Sequence, residues 1–352
     1  MSVQGEKLRE RLASEDFDAA ILPTNPALPK PFRVLERVPL LRTILREAQY
    51  LISLLQVIRS PGIVHHFCAS YLYFFLHSAP LLLLGRWSQS RIVVNYRGGK
   101  ASDFLRTWGW AAIPLLTRAD EIVVPSEFLR RIFEKFGLAS TLLPNLADTE
   151  QFPFVERERF EPRLLVTRNL EPIYDVECVL RAFQLVQEKL PEAILGIAGG
   201  GSEEEKLRAL VKSLKLRNVV FFGAMPHEAL PSIYRRYDLY VNASRIDNFP
   251  GSLVEAGCSG LPIVTTNAGG IPEMIRHGEN GMLCNVGEPQ ALADDVLHIL
   301  TCQELATQLA QNGRTWSEQF AWRNLRPKLL QCYGLTNENR VDALRSCQVL
   351  AP

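Results

Sequence analysis

At 352 residues with 47% hydrophobic and 22% charged content, the chain has material for two sizeable cores and is too apolar for a disordered protein. Its 39 Lys and Arg against 38 Asp and Glu leave a formal net charge of +1, which supplies no global field for nucleic acid or an acidic partner. Seven cysteines (Cys68, Cys178, Cys258, Cys284, Cys302, Cys332, Cys347), odd in number and never in a C-x-x-C pair, point to a reducing cytoplasm and argue against a disulfide framework or a zinc site.

In chain order, residues 1–20 hold several acidic side chains and no apolar h-region, so no signal peptide is read. Met1-Ser2-Val3-Gln4-Gly5 leads directly into the helical pattern of Leu8 and Leu12, with no strand before it. Strands are predicted at 19–22, 62–65, 92–95, 121–124 and 141–143 with helices between them, the alternation of a doubly wound parallel sheet. The first strand of such a sheet usually sits near its middle, and here that strand is missing. Three outcomes are open: a strand lies upstream of Met1, another segment fills the slot, or this half is loose. Between Lys30 and Arg59, six basic residues (Lys30, Arg33, Arg37, Arg42, Arg46, Arg59) face two acids and are interleaved with Leu40, Leu41, Ile44, Leu45 and Leu51. That pattern suits an anionic membrane leaflet, or an ordinary surface helix with a core face. The apolar run 71–84, about 14 residues long and broken by His77 and Pro80, is shorter than the roughly 20 a membrane span needs and predicts a core helix. His65-His66, at a strand end, is either structural or faces a cleft.

The polar, proline-containing stretch 148–162 reads as an interdomain linker. Beyond it, strands are predicted at 164–167, 193–198, 219–222, 239–242, 263–266 and 282–284. The spacing of Val176, Val179, Leu180, Phe183, Val186 and Leu190 keeps one apolar stripe, and Ser202 with Glu205 spells a capping box before Leu207, Leu210, Val211 and Leu214. The expected organisation is an acceptor-side domain over 1–152, a second domain over 153–335, and a tail over 336–352. Ligands of such domains bind at the carboxyl ends of the strands.

The segment most informative for chemistry is Asp247-Asn248-Phe249-Pro250-Gly251-Ser252-Leu253-Val254-Glu255, which follows a predicted strand and opens a helix. Backbone N–H groups at Gly251 to Leu253 suit a diphosphate, and each carboxylate can accept two hydroxyls. Ser252-x-x-Glu255 is equally the spelling of a capping box. The sequel from Gly260 through Asn267-Ala268-Gly269-Gly270-Ile271-Pro272-Glu273 is a strand entering a second glycine-rich helix start at the same sheet edge.

These residues resemble the retaining glycosyltransferases of family 4, which have the α/β GT-B fold of two Rossmann-like domains facing across a cleft. The resemblance covers most of the chain and is most specific from Arg168 to Glu273. It implies a Glu-x7-Glu donor motif at Asp247, which holds sugar hydroxyls, and Glu255, which holds the ribose; Asp in place of the first Glu is shorter by one methylene. Arg168, in Arg168-Asn169-Leu170-Glu171-Pro172, stands where the family keeps a diphosphate arginine. The lysine usual about five residues later is replaced by Ile173-Tyr174. Met225-Pro226-His227 corresponds to the loop facing the nucleobase, and Pro144-Asn145-Leu146-Ala147-Asp148 resembles the family's Pro-Asn-Gly-Val-Asp. On the acceptor side the family's histidine is replaced by Arg97, in Arg97-Gly98-Gly99, a cation that cannot act as a base.

Asp16-Phe17-Asp18 spells the D-x-D of metal-dependent transferases but precedes a strand instead of ending one, and Gly199-Gly200-Gly201 lacks the dinucleotide pattern. No metal or cofactor is therefore expected. What the resemblance implies is a hexosyltransferase that moves a sugar from a nucleotide-diphosphate donor to a hydroxyl of a glycan or lipid-linked acceptor; the cysteine usage adds the expectation of a cytoplasmic location, and the basic, apolar stretch from Lys30 to Arg59 that of peripheral contact with an anionic membrane. The rivals are a degenerate member that binds a nucleotide sugar or a protein partner without turnover, and a sugar-nucleotide epimerase on the same fold.

Overall fold

The computed structural model describes residues 3–15, 17–28, 39–87, 89–335 and 346–351. The chain divides into two compact units, Met1–Leu146 with Leu325–Pro352, and Ala147–Asn324.

The first unit opens with α1 (Val3–Ala13), β1 (Asp18–Pro23), α2 (Pro39–Arg59) and β2 (Ile63–Cys68). A π-helical turn, Phe74–Ser78, leads into α3 (Ala79–Leu84), followed by β3 (Arg91–Tyr96), α4 (Ala101–Leu116), β4 (Glu121–Val124), α5 (Glu127–Lys135) and β5 (Thr141–Leu142). β2, β3, β4 and β5 pair in sequence order, all parallel. Local chemistry fixes the elements: Ser126, in extended conformation, accepts from the Leu129 N–H at 3.3 Å to start α5, which buries Leu129 and Phe133. Gly137, with φ of +73°, follows as the left-handed residue that ends it. The core packs Tyr50, Leu54 and Ile58 of α2 and Phe104 of α4 against Val64 and Val94 of the sheet. Of the expected stretch between Lys30 and Arg59, residues 30–38 lie outside the described residues. α2 exposes much of the remainder: Ile44 is 56% and Ile52 61% accessible, and Leu41, Leu51 and Leu55 are also exposed.

The second unit runs β6 (Arg163–Val166), α6 (Val176–Lys189), β7 (Ile194–Ala198), α7 (Glu204–Ser213), β8 (Val219–Gly223), α8 (Leu230–Tyr234) and β9 (Leu239–Asn242). It continues through α9 (Gly251–Cys258), β10 (Ile263–Thr266), α10 (Ile271–Met274), β11 (Met282–Cys284), α11 (Pro289–Thr301) and α12 (Gln303–Ser317). Its strand order is β11-β10-β9-β6-β7-β8, so the winding direction reverses between β6 and β9. In an open α/β sheet that reversal leaves a crevice at the carboxyl ends of the two strands. Two local expectations are corrected. Ser202 does not cap α7; its N–H and hydroxyl both bond the Glu171 carboxylate, at 3.0 and 2.6 Å, because that acceptor outcompetes a fraying helix end. The stretch 148–162 is no free tether either. Arg157 pairs with buried Asp238 at 2.9 Å and donates to the carbonyls of Val155, Tyr237, Ser259 and Gly260, which pins it to the unit.

The chain then returns to the first unit. The boundary at Asn324 falls inside α13 (Trp322–Cys332), and β12 (Ser346–Ala351) inserts between β1 and β2, parallel to both, giving the order β1-β12-β2-β3-β4-β5. Cys347 faces Ala19 on one side and Ile63 on the other, and Val349 faces Ile21 and His65. Cys347, Val349, Leu350 and Ala351 are wholly buried. The expected tail over 336–352 is thus corrected: of it, residues 346–351 form an interior strand, 336–345 lie outside the described residues, and 325–335 sit with the first unit. The physical reason is that an open interior slot leaves the N–H and C=O groups of two strands unpaired, and β12 satisfies both edges. α1 seals the joint from one face, with Gly5 so close to Ala351 that a Cβ there would lie 2.7 Å from the alanine methyl.

Candidate active site

In the second unit, the crevice at the reversal collects the predicted residues. Arg168 leaves β6 and Asp247 leaves β9, one from each side of the switch point. They form an ion pair, with side chains only 10% and 14% accessible, and Arg168 Nη1 donates to Ser252 Oγ at 3.3 Å at the start of α9. Arg168 Nε is buried and has no hydrogen-bond partner among the described residues. Burial pulls the guanidinium pKa down, but the Asp247 carboxylate and the Tyr240 and Tyr174 hydroxyls outweigh it, so the net shift is upward and the cation is secure.

Tyr174 occupies the region where the sequence lacks a lysine, and its ring lies under the guanidinium, 4.0 Å from centroid to Cζ. Its placement follows from a short 3₁₀ turn, Pro172–Tyr174, ended by Asp175 in the left-handed region at φ 45°. Arg245 holds that turn, with its Nε 3.0 Å from the Asp175 carboxylate and its N–H on Ile173 O at 2.8 Å.

Glu255 sits one turn into α9. Its Oε2 accepts from the Tyr234 hydroxyl at 3.0 Å, and Tyr234 in turn shares a 2.6 Å hydrogen bond with Thr167 Oγ1. Burial first, then the neighbouring carboxylate, pushes the Tyr234 phenol far above its ordinary value, so it stays a donor. Glu255 Oε1 lies 3.9 Å from His227 Nδ1, whose Nε2 is buried without a partner among the described residues. Ser252-x-x-Glu255 is not a capping box: Pro250 occupies the cap position of α9 and Glu255 points to Tyr234.

Two glycines are sterically required. A Cβ on Gly199, at φ +153°, would lie 2.0 Å from the Arg168 carbonyl, and one on Gly269, at φ +57°, would lie 2.3 Å from the Asp247 carbonyl. Beside Arg168, Gly199, Gly200, Ala224, Met225 and Leu230 line a cavity of about 180 Å³. Phe249 is buried and packs edge-on against Phe320, so its side chain belongs to the core. Pro250 and Gly251 form the turn into α9, and Asn248 is buried beside it. Among the described residues, no three His, Cys, Asp or Glu side chains are gathered as a metal site. Asp16 of the D-x-D lies outside the described residues.

In the first unit, Arg97 is partly exposed and held by Asn95 at 3.3 Å, by Asn145 and by the Phe67 ring at 4.8 Å. Burial lowers its pKa to about 9, which leaves it charged at neutral pH. Asn145 of the Pro-Asn-Leu-Ala-Asp segment therefore acts on Arg97. Gly98 packs on the Ser70–Tyr96 hydrogen bond, where a Cβ would meet Ser70 Oγ at 2.2 Å, whereas Gly99 borders open space. His65 and His66 are structural: His65 bonds Tyr333 (3.0 Å) and Asn95 (3.1 Å), and His66 bonds Ser78 (2.7 Å). Sequence reasoning missed Tyr234 and Thr167, since an aromatic in a short helix and a threonine at a strand end carry no local signal.

Residues 148–316 match the family described as glycosyl transferases group 1. With two parallel-sheet units and this match, the chain is a glycosyltransferase of α/β GT-B fold. It is similar to the GDP-mannose-dependent alpha-(1-6)-phosphatidylinositol monomannoside mannosyltransferase of Mycolicibacterium smegmatis, 26% identical over 75% of this chain and 76% of the relative. It is also similar to the N-acetyl-alpha-D-glucosaminyl L-malate synthase of Bacillus anthracis, 25% identical over 70% and 62% of the two chains. The crystal structure of Anabaena Alr3699/HepE in complex with UDP shares the fold at a TM-score of 0.75, 17% identity, and coverage of 95% and 96%. Among the described residues no helix is long and apolar enough to cross a membrane.

Proposed function

We propose that the chain is a retaining, metal-independent transferase of family 4 that moves a hexose from a nucleotide-diphosphate donor to a hydroxyl acceptor, a glycan or lipid-linked glycan. The observation that carries this reading is Arg168, a buried cation at the switch point whose fork spans Asp247 and Ser252 while its Nε has no partner among the described residues. A diphosphate is the ligand that completes such a fork. In this reading Arg168 and the N-terminal turn of α9 at Gly251-Ser252 take the developing phosphate charge, Asp247 accepts sugar hydroxyls, and Glu255, steadied by Tyr234, accepts those of the ribose. Met225 stands at the base, and Arg97-Gly98-Gly99 on the acceptor side. The C1–O bond to the β-phosphate breaks, the acceptor oxygen bonds C1 on the same face, and the acceptor proton passes to the departing phosphate. No cofactor enters.

Asp247→Asn and Glu255→Gln should each keep the fold and cut transfer by about tenfold or more, ~1.4 kcal/mol. Transfer should survive EDTA, and NMR of the product should show the donor's anomeric configuration. Full activity in both variants, or an inverted product, overturns the reading. The rival, a degenerate binder, is favoured by Tyr174 in place of lysine and by the Arg168–Asp247 pair that occupies the site; donor binding without any donor hydrolysis would select it. We further propose a cytoplasmic location with peripheral membrane contact through α2, supported by its exposed Leu41, Ile44, Leu51, Ile52 and Leu55. Equal sedimentation with neutral and anionic vesicles would remove that part.

A further inference from the structure

For a diphosphate, the crevice of the second unit offers little positive charge. Among the residues that line the cavity beside it, Arg168 alone is charged, and its Nη atoms already serve Asp247 and Ser252. In place of a second cation the site holds an aromatic ring. Tyr174 is half-buried, and its ring face meets the guanidinium with the centroid 4.0 Å from Arg168 Cζ. Stacking engages only the flat face of a guanidinium, which carries no donor, and leaves its N–H groups pointing outward in the plane. A lysine in this place would add a charge but repel Arg168, whereas the ring adds none and attracts it. The ring is itself fixed from the backbone up. Pro172 starts the 3₁₀ turn that carries Tyr174, and Asp175 ends it at φ 45°, a left-handed conformation that a residue with a Cβ adopts only where its surroundings impose it. Arg245 imposes it, through its N–H on Ile173 O at 2.8 Å and its Nε 3.0 Å from the buried Asp175 carboxylate. Arg245 lies two residues before Asp247, so one loop after β9 grips both the turn that carries the ring and the guanidinium that the ring supports. The rotamer freedom of the arginine is thereby lost on folding and not on binding.

We propose that Tyr174 is a positioning residue of the donor site: it stands in for the absent lysine by holding the Arg168 fork flat and oriented for a diphosphate, and it acts only through Arg168. This inference rests on the transferase reading above. The full chain is titrated by calorimetry with inorganic diphosphate and with ADP, GDP and UDP, and the tightest of these probes is carried through the variants. Tyr174→Leu, which keeps the bulk and removes the ring, should weaken binding by about tenfold. Tyr174→Phe, which keeps the ring, should stay within about threefold of the wild type. In the Arg168→Gln background, Tyr174→Leu should change the affinity by less than about twofold, because the group it serves is gone. In chains isotope-labelled at the arginine nitrogens, the Arg168 Nε–H resonance is identified by its loss in Arg168→Gln. It should be displaced by the ring current in the wild type and in Tyr174→Phe, and return to the position of the other arginines in Tyr174→Leu. Far-UV circular dichroism and the thermal midpoint report that each variant folds. Unchanged binding in Tyr174→Leu, a phenylalanine variant as weak as the leucine one, the full loss repeated in the Arg168→Gln background, or an Arg168 resonance that does not move would each overturn the proposal and leave the donor reading standing. A wild-type chain that binds none of the diphosphates overturns the donor reading, and the proposal with it.

Discussion

The two units solve the same construction problem with opposite means. The second builds its sheet from consecutive strands and concentrates charge at one point, where Arg168, Asp247 and Ser252 meet at the reversal of winding. The first borrows an interior strand from 200 residues away, keeps His65, His66 and His77 buried, and leaves apolar side chains outside on α2, with Trp87 and Trp110 about three-quarters exposed. A unit specified by local alternation can afford a charged crevice; a unit completed by a remote segment depends on that segment for its integrity.

The sharpest way to break this contrast is to attack β12. Val349→Asp, or removal of residues 346–351, should cost the first unit on the order of 5 kcal/mol or more, the scale of a domain's entire stability. Hydrogen exchange should then show the first unit open and the second still protected; equal loss in both would mean the units are not independent.

Acid should separate the units next. Burial lowers His65 and His66 to about 3 and His77 to about 4, all from an ordinary 6.5. Below 6.5 the unfolded chain binds these protons and the folded chain does not, so stability falls as pH drops from 6.5 toward 3. The slope is at most about 1.4 kcal/mol per histidine per pH unit. Exchange measured at pH 7 and near pH 5 should show protection lost first in the first unit, and a uniform loss would contradict the assignment of these histidines as neutral structural groups.

Within the second unit, Arg168→Gln should lower kcat/KM by about 10²-fold, ~3 kcal/mol, and Arg168→Lys should recover only part, because an ammonium lacks the planar fork. A lysine variant with full activity would show that charge alone suffices. The smallest effect is expected for Tyr234→Phe, which removes one hydrogen bond to Glu255 and should weaken donor binding by several-fold, about 1 kcal/mol. Unchanged affinity by calorimetry would make Tyr234 a packing residue only.

The contrast also explains what the sequence discloses. Strand and helix periods are local, so all the strands predicted between residues 19 and 284 are found, and the carboxylates at Asp247 and Glu255 lie where glycine-rich turns follow strands. Pairing partners are not local. Cys347-Gln348-Val349-Leu350-Ala351 reads as a short apolar tail until β1 and β2 are seen with a gap between them. Nor does sequence reveal that Arg168 and Asp247 bond each other, or that Tyr174 lies under the guanidinium, since both depend on how far β6 and β9 bring their loops together. The exposed face of α2 was half legible: Ile44 and Leu51 fit a core stripe as well as an outer one, and only the packing of Tyr50, Leu54 and Ile58 decides which face is inside.

The insertion of β12 has a consequence for the order of biosynthesis. Residues 1–146 leave the ribosome first, yet their sheet lacks its interior strand until residue 346 has been made, after the whole of the second unit. At 5–20 residues per second, that interval is roughly 10 to 40 s. Throughout it β1 and β2 present unpaired edges on a nascent chain, the kind of surface that chaperones shield and that crowded polysomes turn into aggregates. The second unit is free to fold while the first waits; the half that comes earlier in the message is finished later.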